Sequence, residues 1–523
     1  MAAAIRKDID PRHRILRVPA VFHEATTKVY TVLAHGFGYQ VNVHTSCICN
    51  ELVSLHNRHL VDRTYIPFNK RLWREVARET RRFYRGLDLA PWAYEEVIAE
   101  YTGNKKRMYR NACVELRTHG LQQRHMLVKM FVKPDRYPLA DCEEKDPRAI
   151  QYRSPHFNIA YGAYVKPFEE WAYPNLTYGV ASGTRVIAKG MNNYDRAALL
   201  LTKVESFKQP RFVLLDHSRF DSTINQTHLR TTHAKYQMAF NSGRLARLCK
   251  AQLVNVGYTK HGIKYKTKGT RMSGDSDTGL GNSLVNADCL YGFLTRSGVS
   301  KYDFILDGDD SVVIVEASDL PRLDKTLFGQ LGFDTKMQVV ADLDEVEFCQ
   351  CKMILAQRPL FSRNPARALS HSSVARKRFP RRTVGKWIAA VGECERACNI
   401  GVPVLQAYGE SLASISKAKF VDEELRHRWR MGWRVDSAPI TADARATFAL
   451  AWGVPPEVQQ LMEKTQFTAN AYCSWLKRNS DLRDYEQFRL ASSVRRISSI
   501  AKSTPERSGS SCCSTSCCRY VQE

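Results

Sequence analysis

The chain has 523 residues, 44% of them hydrophobic, enough to bury a large core and too many for a disordered protein. Its 78 Lys and Arg against 53 Asp and Glu give a net charge of +25 spread along its length, which points to a polyanionic partner: nucleic acid first, an anionic membrane surface second. No apolar run is long enough to span a bilayer, Ile5-Arg6-Lys7-Asp8 is too polar for a secretion signal, and the 15 cysteines, mostly single among apolar residues, suit free thiols in a reducing setting.

In the first segment, to about residue 125, Cys47-Ile48-Cys49-Asn50-Glu51-Leu52 opens a helix-like pattern. The C-x-C pair with His56 and His59 at unmatched spacing fits structural zinc sites poorly. Lys70 to Arg85 is helical in period, with Trp73, Val76 and Phe83 as its apolar stripe. It carries Lys70, Arg71, Arg74, Arg78, Arg81, Arg82 and Arg85; a solvated face explains most of these charges, a phosphate-contacting face some.

The alternation Met130/Val132 and Ile150/Tyr152 predicts two short extended segments, with an exposed loop from Asp135 to Lys145 between them. Lys133, Arg148 and Arg153 could clamp a triphosphate there, Arg as a planar fork and Lys as a point charge; a plain basic hairpin is the alternative. Arg211 to Asp216 is a buried strand that ends on a carboxylate, followed by Asp221 and by a helix over Ser222 to Phe240. A strand ending in an acid delivers it to the edge of a sheet, where ligands bind.

Gly269 to Asn282 is a Gly/Ser/Asp loop running into a helix whose apolar face is Leu280, Leu284, Ala287, Leu290, Tyr291 and Leu294. Ser273, Thr278 and Asn282 offer neutral groups that can read a ribose hydroxyl, whereas the plainer reading is a flexible loop with an N-cap at Thr278. Two β-prone runs, Tyr302 to Asp307 and Asp310 to Glu316, flank Gly308-Asp309 as a tight hairpin. Asp307, Asp309 and Asp310 crowd its tip, and like charges so close resist ionisation unless cations offset them. Taken alone this is also an ordinary solvated turn. Paired with Asp216 it offers carboxylates from two strands, the way Mg²⁺ is held together with substrate phosphates, and two such ions serve an in-line phosphoryl displacement.

The order and spacing of D-x4-D at Asp216/Asp221, S-G-D-x-x-T-x-x-x-N at Ser273 to Asn282 and G-D-D at Gly308 to Asp310 resemble motifs A, B and C of viral RNA-dependent RNA polymerases, most of all the tombusvirus-like group of positive-strand RNA viruses. Arg148 to Arg153 resembles motif F, Gly332 to Lys336 motif D, Glu347 to Gln350 motif E, and Arg363-Asn364-Pro365 the segment after it. The resemblance implies an α+β right-hand fold of fingers, palm and thumb, with an RRM-like antiparallel palm sheet and a helical thumb. It divides the chain into an N-terminal extension and fingers (1–204), a palm (205–360) with an inserted fingers segment (225–268), a thumb (361–500) and a disordered Ser/Cys-rich tail (501–523).

The same resemblance implies roles. Asp216 and Asp309, with Asp310 a weaker or indirect ligand, would hold two Mg²⁺ or Mn²⁺ ions, and Asp221 would bond the 2′-hydroxyl of the incoming NTP, helped by Ser273, Thr278 and Asn282. Lys133, Arg148 and Arg153 would hold the triphosphate, and Lys336 would protonate departing pyrophosphate. Gly274, Phe348 and Gln350 would lie against template or primer. The implied reaction is template-directed RNA synthesis, with RNA and NTPs as ligands. Relatives carry a long N-terminal membrane-targeting extension; here a membrane-associated viral or host replication factor is the expected partner, in the host cytoplasm at membrane-associated complexes.

Arg376, Lys377, Arg378, Arg381 and Arg382 form a basic segment. Val384 to Leu490 reads as helical, packed by Trp387, Trp429, Trp433, Trp452 and Trp475. The cysteine pairs of the tail would be acylated, giving a reversible membrane anchor, or would bind metal; the sequence leaves both open. Two rival classes remain open: a reverse transcriptase, exposed by a preference for dNTPs, and a non-catalytic RNA-packaging protein, which needs no acids on two strand ends.

Overall fold

Gly308-Asp309 makes a two-residue turn between antiparallel strands Tyr302–Asp307 and Asp310–Glu316, with Asp307 opposite Asp310. Gly308 supplies the positive φ (+72°) and Asp309 does not, the pattern of a type II′ hairpin. The computed structural model describes residues 4–20, 30–31, 41–372, 374–375, 379–432 and 437–465. Pro210–His217 pairs with the second hairpin strand, and Thr335–Val340 pairs with Pro210–His217, closing a four-stranded antiparallel sheet.

Both faces of this sheet are covered, and the period of two sorts them. Val213, Leu215, Phe304, Leu306, Val313 and Val315 join the core that contains the helix Thr278–Arg296. Phe212, Ile305, Val312 and Ile314 face the other way, toward the helix Asn193–Val204 and the three-stranded sheet of Glu347–Phe348, Cys351–Ile354 and Leu360–Arg363. Burial on both sides explains why the hairpin strands read as near-continuous apolar runs.

A five-stranded sheet in the order Arg14–Arg17, Lys264–Lys268, Val254–Thr259, Val128–Val132, Ala149–Tyr152 unites segments far apart in sequence. The two predicted extended segments pair antiparallel, Lys129 opposite Tyr152. The stretch expected to be a loop after Asp135 instead holds a short strand, Tyr137–Pro138, and a helix, Leu139–Glu144. The helix expected over Ser222 to Phe240 is broken: Phe220–Thr223 ends, and Asn225 caps a new helix, Gln226–Phe240, by accepting from the amides of Thr227 and His228. Thr278 is the first residue of its helix, after Asp277, and not the cap.

Beyond the three-stranded sheet, helices Arg381–Cys398, Leu405–Ala413, Ala442–Trp452 and their neighbours share a separate core with Trp387 buried and Trp429 and Trp452 packed at its edge. Trp433, Trp475, Arg376 to Arg378 and the tail lie outside the described residues. Of the ten cysteines among the described residues, eight are buried.

Asp303, inside the hairpin sequence, serves the frame. It is fully buried, pairs with Lys203 at 2.6 Å and accepts from the backbone amides of Ser182 and Phe304. Removing one partner leaves a buried charge without compensation. Lys203→Met is expected to lower stability by about 3 kcal/mol or more. Urea unfolding checks this, and adding Asp303→Asn to the same chain should recover part of the loss.

Candidate active site

The helix Thr278–Arg296 holds the hairpin tip by side chains. Ser283 Oγ accepts from the Gly308 amide (3.1 Å), and Asn286 Nδ2 donates to the carbonyls of Gly308 (3.0 Å) and Asp309 (3.1 Å). The Asn286 Oδ1 left over accepts from His217 Nε2 (3.2 Å), and His217 Nδ1 accepts from Thr335 Oγ1 (2.8 Å). His217 follows Asp216, so one amide side chain ties the turn bearing Asp309 to the strand end bearing Asp216. Burial pushes His217 down to about 4, so it stays neutral in this role.

Asp216, Asp309 and Asp310 thus face a common cleft of about 630 Å³. Asp309 and Asp310 stay open to the solvent of the cleft, but its walls thin their hydration and the acids repel one another. Asp310 is pushed up to about 7, by desolvation first and then by Asp309, Asp307 and Asp216; Asp309 is raised for the same reasons. Among the described residues neither of them, nor Asp216, forms an ion pair. Asp307 is different: Lys189 (2.8 Å) and Arg196 bracket its carboxylate and hold it below the usual range. Lys189 arrives because Val186 to Ala188 run beside Leu306 as an added edge, bonded at 2.9 and 2.7 Å.

Oxygen donors carrying uncompensated charge suit a hard cation. No group of three or more metal-ligating side chains among the described residues encloses an ion by itself. The acids therefore fit a divalent ion whose remaining ligands come from substrate phosphate and water, as is usual for Mg²⁺.

Lys133, Arg148, Arg58 and Arg219 line the same cleft. Asp135 is shared by Lys133 (3.0 Å) and Arg148 (3.4 Å), and Asp146 pairs with Arg219 (3.0 Å), so four cations meet two carboxylates. His59 also lines the cleft; its Nδ1 accepts from Gln151 (2.9 Å) and its buried Nε2 has no partner among the described residues. Asp221 accepts from Asn282 Nδ2 (2.8 Å), and its pKa is raised to about 6 by burial, against the pull of that hydrogen bond. Arg271 sets the polarity of this pair: its Nε donates to Asn282 Oδ1 (3.2 Å), which leaves the amide nitrogen for Asp221. Arg271 is itself fixed by Asp277 at 2.7 Å.

Several expected contacts lie elsewhere. Arg153 does not reach the cleft: it is fully buried, and its guanidinium bonds Asp275 and Asn255, tying the Ala149–Tyr152 strand to the loop before the helix. Gly274 does not line the cleft either: it is half-buried against the neighbouring strand, its amide donating to the Gln151 carbonyl (2.7 Å), and an added Cβ would sit 2.7 Å from Tyr152 Cβ, so glycine is required there. Ser273 and Thr278 line the cleft, but their hydroxyls bond backbone: Ser273 to Ala149 O (3.3 Å), Thr278 to Met272 O (2.8 Å) and Asp275 O (2.9 Å).

Lys336 sits opposite Asp216 in the strand register and is exposed in an adjoining cavity that also holds Asp216 and Asp310. Phe348 is a buried core residue under Arg196, while Gln350, at φ +60° in the tight turn after it, borders both cavities. Sequence reasoning missed Arg58, Lys189, Arg196, Arg219, Arg271, Ser283 and Asn286. Asn286 had a signal: with Asn282 it makes an i, i+4 polar pair in a helix whose other residues around them are mostly apolar.

The chain belongs to the viral RNA-dependent RNA polymerase family: the family model described as "Viral RNA dependent RNA polymerase" matches residues 15–473. It is similar to the RNA-directed RNA polymerase of Tobacco necrosis virus (strain A), 29% identical over 450 residues that cover 79% of this chain and 61% of that protein. The corresponding proteins of Melon necrotic spot virus (28% over 480 residues; 84% and 58%) and Turnip crinkle virus (30% over 405 residues; 74% and 51%) are also similar. The chain thus spans between about half and three fifths of these relatives' length.

The raised acids make a stability prediction. A carboxyl whose folded pKa exceeds its unfolded value holds its proton more tightly when folded; its contribution is present at low pH and is lost as pH rises through about 7 for Asp310. Asp310→Asn, in chelator, should melt about 2 °C above the parent near pH 8 and show a clearly smaller gain near pH 5, where only the first part of the loss has set in. Differential scanning calorimetry at the two pH values checks it; equal shifts at both contradict it.

Proposed function

We propose that this protein is an RNA-directed RNA polymerase that copies a positive-strand viral RNA genome, joining nucleoside monophosphates from NTPs to an RNA 3′-hydroxyl and releasing pyrophosphate. One observation carries the reading: acids from two separate strand ends, Asp216 and Asp309/Asp310, meet in a cleft that also gathers Arg58, Lys133, Arg148 and Arg219. In this reading the four-stranded sheet is the palm, the five-stranded basic sheet with its helices the fingers, and the C-terminal helical layer the thumb.

Two Mg²⁺ or Mn²⁺ ions, held by Asp216, Asp309 and Asp310, would stabilise charge on the attacking and leaving oxygens. Arg148 and Lys133, with Arg58 and Arg219, bind the triphosphate; their two carboxylate partners leave net positive charge for it. His59 offers Nε2–H to the same phosphates. Asn282 and Arg271 hold Asp221 with one carboxylate oxygen committed to Asn282, so the other is available to accept from the ribose 2′-hydroxyl. Lys336, beside Asp216, is placed to give a proton toward the pyrophosphate side, and Gln350 to steady the primer end. Arg153 and Gly274 act from behind, by fixing the Ala149–Tyr152 strand against the helix-leading loop.

The family resemblance also supports a membrane-associated viral or host replication factor as partner and the host cytoplasm as location. No helix among the described residues is long and apolar enough to cross a membrane.

The direct test incubates purified protein with an RNA template, labelled NTPs and Mg²⁺ or Mn²⁺. Metal-dependent incorporation of NTPs is expected; no incorporation, or a preference for dNTPs, contradicts the reading. Asp309→Asn should reduce synthesis to background while RNA affinity, measured by filter binding, stays within about twofold. Asp221→Ala should cut the preference for NTPs over dNTPs by roughly tenfold, the effect of losing about 1.4 kcal/mol of hydrogen bonding. Steady-state incorporation of each nucleotide type measures it, and an unchanged ratio removes Asp221 from sugar selection.

A further inference from the structure

The helix Lys70–Thr80 and the 3₁₀ segment Arg81–Tyr84 that continues it turn one face inward. Trp73, Val76, Ala77, Thr80 and Tyr84 are buried. Trp73 stands edge-on to His228 and donates its indole N–H to Thr231 (3.0 Å), while Val76 packs on Gly292 of the helix behind the catalytic hairpin. The outward face carries Arg71, Arg74, Arg78, Arg81 and Arg82, with Arg85 on the extended residue that ends the segment, all exposed. From Arg71 to Arg85 the stripe runs about 20 Å at the rise of a helix.

Little on the protein answers this charge. Glu75 pairs with Arg71 (3.0 Å), Glu79 pairs away with Arg296 (2.6 Å), and Arg82 lies over the rings of Phe83 and Tyr291. Arg74, Arg78, Arg81 and Arg85 form no ion pair among the described residues. None of the six arginines lines the catalytic cleft or the cavity beside it.

We propose that this arginine stripe is a second RNA-binding surface, separate from the catalytic cleft, which grips the sugar–phosphate backbone of an RNA strand. Parallel arginines that repel one another destabilise the free protein, and an RNA backbone offers a row of phosphates to offset them. The residue type agrees, because arginine's fork matches phosphate oxygens and its charge is permanent. The helix is anchored by Trp73 and Val76, so the forks are presented at fixed spacing. A lipid surface fits less well. A helix that binds membranes buries its apolar face in them, whereas this one has spent that face on the core, and no large apolar side chain is exposed between Tyr65 and Met108.

The proposal goes beyond nucleotide incorporation and is measured without it. The full chain is compared with a variant carrying Arg74→Ala, Arg78→Ala, Arg81→Ala and Arg85→Ala, all at exposed positions so that the fold is kept, as circular dichroism verifies. Binding of a long single-stranded RNA is followed by fluorescence anisotropy across a salt series, without NTPs. The slope of log affinity against log salt should become shallower by roughly 3, about 0.7 for each lost phosphate contact, with affinity down at least about tenfold at low salt. Incorporation on a template–primer just long enough to fill the cleft should be unchanged. An unchanged slope and affinity would overturn the proposal, as would an equal loss on long and short RNAs, which marks a general field and not a separate site. Loss confined to phosphatidylserine vesicles, with RNA binding intact, would also overturn it in favour of a membrane surface. Failure of the polymerase reading would show separately, as absent incorporation by the unaltered chain.

Discussion

Three carboxylates that repel one another are held within one cleft by a neutral hydrogen-bonded clamp, and the rest of the molecule is arranged to make that possible. Asn286 is its centre: its amide donates to both carbonyls of the Gly308-Asp309 turn, and its oxygen receives His217 beside Asp216. A charged clamp would neutralise the acids and remove their use. A neutral one positions them and leaves the repulsion standing, which adds to desolvation in raising Asp309 and Asp310. Asp307 shows the contrast, since Lys189 and Arg196 discharge it and make it part of the scaffold.

The side proposed to select the sugar is built from the same helix. Asn282 lies one turn before Asn286, and Arg271 fixes its amide so that nitrogen, not oxygen, meets Asp221. Arg271 in turn hangs on Asp277, which also accepts from Gln252, Tyr161 and Tyr236, while Asp275 beside it receives Arg153. A buried polar network therefore runs from the basic five-stranded sheet to Asp221. Satisfied networks of this kind specify one arrangement sharply, and removing a member leaves the others exposed to the full cost of burial.

Much of this was legible in the chain. Gly308-Asp309 between β-prone runs fixes the hairpin and its register, and the loop from Gly269 to Asn282 leads into its helix as the pattern indicates. The role expected of Arg153 failed for a reason already present in the sequence. Arg148 and Arg153 are five residues apart, so the alternation of a strand sends them to opposite faces, one to the cleft and one to the interior. Lys189 and Arg196 could not be read: they reach Asp307 through an edge pairing of Ile187 with Leu306, more than a hundred residues away, that no local pattern marks. Gly274 looked like a ligand-contacting glycine and is one that another strand presses against.

The central claim is that acids from two strand ends act as a single metal site. Mn²⁺ binding in the presence of an NTP, followed by electron paramagnetic resonance, tests it most directly when the unaltered chain is compared with Asp216→Asn and Asp309→Asn. Loss of bound Mn²⁺ in either variant alone is the predicted result. Retention of full Mn²⁺ binding when either acid is removed would contradict it.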